Sequence, residues 1–600
     1  MRTRLIALSP LAMLGCGQPL GEELFVIGPD MGWEATGKAD TTCGGGGGTY
    51  TTIQAAINAA ASGATITVCA GTYKERLTVP GKNLTLKGTS GATLTILDAN
   101  ASGTALTLTG GAKVAMSGFT IKGAKASGVK CTDSTLNLYN STVTGNSGSS
   151  GAGLYALRCT LGITTVAFTS NAASSKGAGL YAESTTGWVK TSTFTSNKAS
   201  SKGGGAYVLD GNFLVTTSTF TSNAATHGGG LYLSADSDVT DNTFTTNSVT
   251  YHGAGVYGSA ADGDFTGNAF NDNHAGEDGG GLYLDVSAAY VGDNDFVGND
   301  AVDDGGGLRT LTSTATIDGN YFEANVATDS GGGAKMSHKY GVFSDNTLID
   351  NVAGTTGGGL YLDEDTTPIS GCTFDGNAAV SGGGLYQSGG WRLTEVSDST
   401  FTGNTATSNG GGIGVQTSAY GVQVTQSNLT LNTAKYGGAL YSSDSKLILK
   451  NSNVYRNSGS TQGGGLWVSN GSTELVNWVA YRNSSASGAG LWVSAATGTG
   501  VKNAVFYKNE TGIAVVIASG TLTWKYNDHY GQTAGDFSGM SSPTGTNGNI
   551  NINPALTDAS NGNFTLLSTS TLKNAGDPTL FDVDGSRSDI GAYGGAGGAW

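Results

Sequence analysis

Basic residues, proline and long apolar runs are all scarce in this chain. Thirty Lys and Arg stand against 45 Asp and Glu, for a formal net charge of -15. That lacks the basic patch nucleic acid selects, so partners are expected to be neutral, cationic or bridged by metal. Only 8 prolines, and no Gly-X-Y period among 99 glycines, exclude a collagen-like rod. No apolar run beyond Leu14 could span a bilayer. What remains is 38% hydrophobic and 8% aromatic, too rich in core-forming residues for a disordered linker, and the expectation is a large all-β fold.

The first residues place Arg2 and Arg4 before an apolar stretch from Leu5 to Leu14, then Gly15-Cys16. Residues 1–15 read as a short secretory signal. They resemble a bacterial lipoprotein signal, which implies lipid on Cys16 and a place in the cell envelope, at the outer membrane or cell surface, with secretion as the alternative. The other five cysteines then belong to an oxidising compartment, with Cys43–Cys69 and Cys131–Cys159 as candidate disulfides. Cys372 is left over, at a repeat position that elsewhere holds Asn or Ser, and reads as a buried free thiol.

An asparagine three residues after an apolar one recurs from Asn146 through Asn171, Asn197 and Asn223 to Asn509, every 24 to 28 residues. Within each unit "GGGLYL" and "VTDNTFT" alternate apolar with polar residues, the period of a strand. One unit cannot bury its apolar face, so units must stack coaxially, giving each strand a parallel neighbour. The fold class expected is a parallel β-helix of about 18–20 coils. Leu154, Leu180, Leu231, Leu282, Leu360, Leu385, Leu466 and Leu491 should stack inside, with Phe168, Phe194, Phe220, Phe244, Phe270, Phe296, Phe322, Phe374 and Phe401 beside them, and the asparagines should form an amide ladder at a turn.

The organisation expected is a signal (1–15), a glycine-ended tether (16–48), a cap and first coils (49–130), the repeat solenoid (131–520) and closing coils (521–600). Ile53, Ala56, Ile57 and Ala60 share one helical face that would cover the first coil. This start resembles right-handed parallel β-helix proteins of the pectin-lyase-like superfamily, and the "FxxN…GGGLY" units resemble polymorphic outer-membrane protein repeats. The tail from Ile552 resembles the closing segment of bacterial β-helix lipoproteins. The resemblance implies the hand of the helix and little about function. Such outer-membrane proteins end in a membrane barrel, and the lipid on Cys16 would replace it as anchor.

Two columns vary between copies. With Leu231 and Leu233 inward, Tyr232 leaves the other side of the strand, as do Tyr207, Tyr257, Tyr283, Tyr361, Tyr386, Tyr441, Trp467 and Trp492. Two readings fit: an exposed aromatic ladder that binds an extended polysaccharide, or tyrosines stacked to stabilise parallel strands. The second column, before the glycines, runs Lys176, Lys202, His227, His252, Asp278, Asp304, joined by Glu277, Asp303 and Asp329 one residue earlier. These carboxylates read as a solvated turn with salt bridges to Arg309 and Lys335, or as a calcium site. A third reading makes them the metal set of a calcium-dependent polysaccharide lyase, with Arg309 or Lys335 as base, although the motifs that pectate lyases and polygalacturonases resemble are missing. Asp582, Asp584 and Asp589 in "DVDGSRSD" read as a calcium loop or as a turn hydrogen-bonded through Arg587, capping the last coil. The function expected is a lipid-anchored structural or adhesive rod that contacts extracellular polysaccharide or a surface protein, with the lyase as the alternative.

Overall fold

The computed structural model describes residues 38–40, 50–234, 236–337 and 340–598, and the signal, Cys16 and Cys43 lie outside them. One coil serves for all. Leu231–Ser234 lies on a first face, Asp238–Thr240 and Thr243–Thr245 form a second face with a bend between them, and Ser248–Val249 forms a short third. Each strand pairs in parallel with its counterpart one coil on, Tyr232 with Tyr257, Phe244 with Phe270 and Ser248 with His274. Nineteen strands follow one another along the first face, from Leu77–Pro80 to Phe537–Ser538, and 14 along the third. The molecule is an all-β parallel β-helix.

The inner ladders follow from the alternation. Every predicted Leu and Phe is buried, and successive Phe rings from Phe168 to Phe322 stack with centroids 4.6 to 5.1 Å apart. Burying each such side chain contributes about 2–3 kcal/mol. Leu348 interrupts the column, and Phe374 and Phe401 resume it at 4.5 Å.

The corners need left-handed backbone, which Asp241 (φ 56°), Thr246 (φ 52°) and Ala260 (φ 48°) supply around one coil. Asn247 follows one such corner with no exposure to solvent. The Nδ2 of Asn223 donates to Phe194 O at 2.9 Å and to the Oδ1 of Asn247 at 3.0 Å, and that same oxygen accepts the Asn223 amide N–H at 3.0 Å. Both amide protons and the carbonyl are therefore satisfied in each member, sparing the 1–3 kcal/mol or so that an unpaired buried polar group costs. A parallel ladder at the middle bend runs from Asn242 through Asn268, Asn294 and Asn320 to Asn346. Cys372 takes the next place, 1% exposed, its amide N–H donating to Ser399 Oγ at 3.2 Å and its thiol pushed up to about 12 by burial. Cys131 and Cys159 are joined by a disulfide with a Cα–Cα distance of 6.4 Å, and Cys69 is disulfide-bonded as well.

The two ends are closed differently. The helix Ile53–Ala59 buries Ile53, Ala56 and Ile57 against the first coil. Glu75 accepts the amide N–H groups of Ile53 and Gln54 at 3.0 Å, while Lys82 Nζ donates to the carbonyls of Ile57, Asn58 and Ala60, each charge facing the helix end it complements. At the other end Phe537 packs edge-on against Trp524 at 5.3 Å. The closing segment does not cap that end. It turns back along the flank, where Leu572 and Ile590 pack on Val479 and Val505. Asn503 Oδ1 accepts from Asp577 N at 2.7 Å, Asn477 Nδ2 donates to Asp589 O at 3.1 Å, and Asn451 Nδ2 donates to Ala592 O at 2.9 Å.

Candidate functional site

The two variable columns of the repeat meet in one seam along the glycine corner. Gly228 makes the corner at φ 61°, and a Cβ on Gly230 would stand 2.6 Å from Gly255 O and 2.9 Å from Phe244 Cδ1. The last glycine is thus needed for coil-on-coil packing. With the corner drawn in, the residue before the glycines reaches over the first face of the next coil. The tyrosines leave the outer side of the strands, as the alternation predicts, yet they are not an exposed column. Tyr207, Tyr232, Tyr257 and Tyr283 are 3 to 9% exposed, and Tyr386, Tyr441 and Trp492 are 7 to 9%. Most of their rings stack face to face, 5.0 Å between Tyr232 and Tyr257, and 5.0 Å between Trp467 and Trp492, whereas Tyr386 meets Tyr361 tilted by 54° and has Gly414 as its partner on the next coil. Tyr361 and Trp467 are half-buried. Where the rings stack, the faces that a sugar would need are occupied by other rings.

Each corner residue covers the column residue of the following coil. Lys176 Nζ lies 3.3 Å from Tyr207 Oη, and Lys202 Nζ donates to Tyr232 Oη at 2.9 Å while standing 4.4 Å from the ring centroid. His227 packs edge-on to Tyr257 at 5.5 Å, and His252 stacks on Tyr283 at 4.8 Å. Then the corner turns acidic and the column turns basic on the coils they share. Asp278 faces Arg309, whose charge draws down a carboxyl that burial raises, and Lys335 Nζ sits 2.6 Å from Asp304 Oδ2 and 3.6 Å from Asp363. Burial holds the His227 imidazole down at about 4 and pushes the Tyr386 hydroxyl up to about 12.

Arg309 and Lys335, the two residues read as a base in the lyase alternative, are engaged within this seam. They are 6% and 7% exposed, and Arg309 donates to Thr310 O and to Ser337 Oγ at 3.0 Å while Lys335 is held between two carboxylates. Both side chains thus make their closest contacts within the seam. The carboxylates disperse too. Glu277 and Asp278 both point to His252 at 3.3 Å, Asp329 accepts from Thr355 Oγ1 at 2.6 Å, and Asp303 is exposed. Among the described residues no three His, Cys, Asp or Glu side chains gather as a metal set would. In the tail, Asp582 accepts the amide of Asp589 at 3.2 Å, Asp584 accepts from Ser586 N at 2.8 Å, and Asp589 accepts from Asn574 N at 2.7 Å. Arg587 Nε donates to Gly576 O at 2.6 Å.

Three of the aromatics that are open to solvent lie away from the seam. Trp391 and Tyr420 are each 53% exposed and Tyr340 is 39% exposed, all in turns between the first and second faces. The Arg392 guanidinium stands 4.5 Å over the Tyr340 ring and 5.6 Å from that of Trp391. The repeat register passes over these turns, and the sequence signal that could have found them is a Trp-Arg pair outside the alternation.

A family description, Right handed beta helix region, matches residues 127–301, 205–374 and 358–529. Among solved structures the chain is similar to the catalytic domain of a GH87 alpha-1,3-glucanase in complex with nigerose, at 10% identity over 83% of this chain and 69% of that one, with a TM-score of 0.11. No curated protein matches it.

Proposed function

For a chain that belongs to the right handed beta helix region family, we propose the work of an extracellular rod: held to a cell surface through lipid on Cys16, structural in its core and adhesive along its flanks. The observation that carries this reading is the seam. Its outward Lys, His, Asp, Tyr, Arg and Lys side chains are spent on the next coil, so the repeat that fills most of the chain maintains a stiff shaft, with its charged groups engaged in packing rather than held ready in a cleft. Contact with extracellular polysaccharide belongs to the open corner of Tyr340, Trp391, Arg392 and Tyr420, where exposed ring faces and one cation fit a saccharide with acidic groups.

A glycan array run with calcium and again with a chelator tests this. Binding by the native chain that falls at least about tenfold in Trp391→Ala with Tyr420→Ala, with the melting temperature unchanged, supports the corner. A blank array leaves a rod that adheres through protein contacts. Cleavage of a polyuronate that disappears in Lys335→Ala would sink the reading in favour of a lyase.

A further inference from the structure

We propose that two copies of this chain pair antiparallel along the flank made by the short third face and the glycine corner. The first observation is where the charge lies. Residues 50–230 carry 13 basic and 5 acidic side chains, whereas residues 231–400 carry 4 basic and 25 acidic, so a chain of net charge -15 is a rod with one basic stretch and one strongly acidic stretch. Such a distribution repels itself in parallel register and attracts itself when one copy is reversed.

The third face fixes the register. Its rows run Ala172, Lys198, Ala224, Ser248, His274, Asp300, Val326, each paired with the next. A two-fold axis lying in the plane of contact and crossing the rod at the Ser248 row turns the two faces toward each other and reverses the long axis. It leaves each edge of the face against the same edge of the other copy. The Lys198 row of one copy then lies on the Asp300 row of the other, and the Ala172 row on the Val326 row. At the corner edge of those same rows, Lys202 comes over Asp304, next to the exposed Asp303. Lys198 and Asp303 are both exposed, and the Asp300 side chain is 46% exposed, with Oδ2 turned to His274 and a second carboxylate oxygen beside it. Lys202 spends one of its three donors on Tyr232, leaving two. The interface is isologous, so every pair occurs twice and the assembly closes at two.

The same flank offers apolar surface. Tyr251, 42% exposed, ends the row that lies along the axis, so it meets its own copy ring to ring. Val302, 44% exposed, lies between Asp300 and Asp303, where the methylene stems of Lys198 and Lys202 from the other copy cover it while the ammonium groups reach past. Val326, 42% exposed, faces the exposed Ala172. The seven rows give a footprint about 29 Å long. Reversal sends the two N-termini to opposite ends. The pairing itself needs no anchor, but the inference that it bridges two surfaces rests on the lipid-anchored reading above.

Sedimentation velocity on the full chain tests the pairing. A dimer is expected at low salt, weakening at least about tenfold as salt rises from roughly 50 to 500 mM because the Debye length contracts. Lys198→Glu and Asp300→Lys, each open to solvent and outside the seam, should each be monomeric, since each sets like charges against one another twice. Mixed together they should recover a dimer. In the mixed pair the acid introduced at position 198 of one variant faces the base introduced at position 300 of the other, and the second contact is the native Asp300 with Lys198. Tyr251→Ala should weaken the native dimer. A chain that stays monomeric at low salt, single variants that dimerise like the native chain, or association that grows without limit overturns the proposal. Clustering of vesicles that carry the lipidated chain reads the bridging separately. A dimer in solution with no clustering supports the pairing and removes only the bridge.

Discussion

The coils from Tyr207 to Tyr283 and the coils of Arg309 and Lys335 share one backbone and fill the same corner by opposite means. In the first, stacked rings lie under lysine and histidine, and in the second, buried cations lie under aspartate. The difference teaches that the corner residue and the column residue of the next coil are chosen together. A cation or imidazole above takes a ring below, and a carboxylate above takes a cation below. The breaks in the tyrosine column at Arg309 and Lys335 are thus matched substitutions across about one coil.

The largest expected effect comes from breaking the charged seam on one side only. Lys335→Met leaves Asp304 buried without its partner, and with side-chain exposures of 9% and 16% for the pair the loss should be about 3–5 kcal/mol by urea denaturation. Asp304→Lys combined with Lys335→Tyr rebuilds the arrangement of Lys202 and Tyr232 further along the rod, and should recover most of that loss. Recovery no better than Lys335→Met alone would mean that the two seams are not interchangeable. Next in size is Tyr232→Ala, which opens a gap between the rings of Tyr207 and Tyr257. It should cost about 2–3 kcal/mol, less than a core Phe because the outer side of the sheet can relax.

Acid should also separate the two regions. The His227 imidazole is held neutral by burial, with its value lowered to about 4 from 6.5. The unfolded chain therefore binds the proton first, so the stability this group contributes is whole above about pH 6.5 and is lost as the pH falls toward 4. Asp278 is shifted the other way, raised by burial, and its contribution is lost as the pH rises through its folded value. Lowering the pH from 7 to 4.5 should reduce the protection of amides, relative to their intrinsic exchange at each pH, more around Tyr232–Tyr257 than around Arg309–Lys335, and His227→Gln should abolish that difference. An equal loss of protection in both regions of the native chain would refute the assignment.

Much of this was legible in the sequence. The Asn spacing gave the coil length, and Phe220, Phe244 and Leu231 gave the inward faces, because period-two alternation states which side of a strand a residue leaves. Alternation does not say what lies above the outer side. Covering Tyr232 depends on Lys202 reaching from the corner of the preceding coil, 30 residues earlier in the chain, and that needs the corner geometry the glycines impose. Read as pairs across one coil, Lys202 with Tyr232 and Asp304 with Lys335 were present all along. The tail was less legible still, because Asp577 and Asp589 belong to no repeat and their docking partners, Asn503 and Asn477, look like any other corner asparagine.

The smallest effect is the most discriminating. Tyr232→Phe keeps the ring stack and the cation 4.4 Å from the centroid, and removes only the hydroxyl that accepts from Lys202 at 2.9 Å. The expected cost is about 1 kcal/mol, the net worth of one hydrogen bond at a half-covered site. A double-mutant cycle with Lys202→Met should return a coupling of that size, because it isolates the contact of the ammonium with the hydroxyl while the ring stays packed in both backgrounds. The corresponding cycle on Asp304 and Lys335 should return a coupling several times larger, since the pair is charged on both sides and 2.6 Å apart, and removing Asp304 leaves Lys335 only the more distant Asp363 at 3.6 Å. Equal couplings would mean that the rings at Tyr232 are held by the cation as firmly as the carboxylate at Asp304 is, and that the two seams differ in composition but not in what holds them.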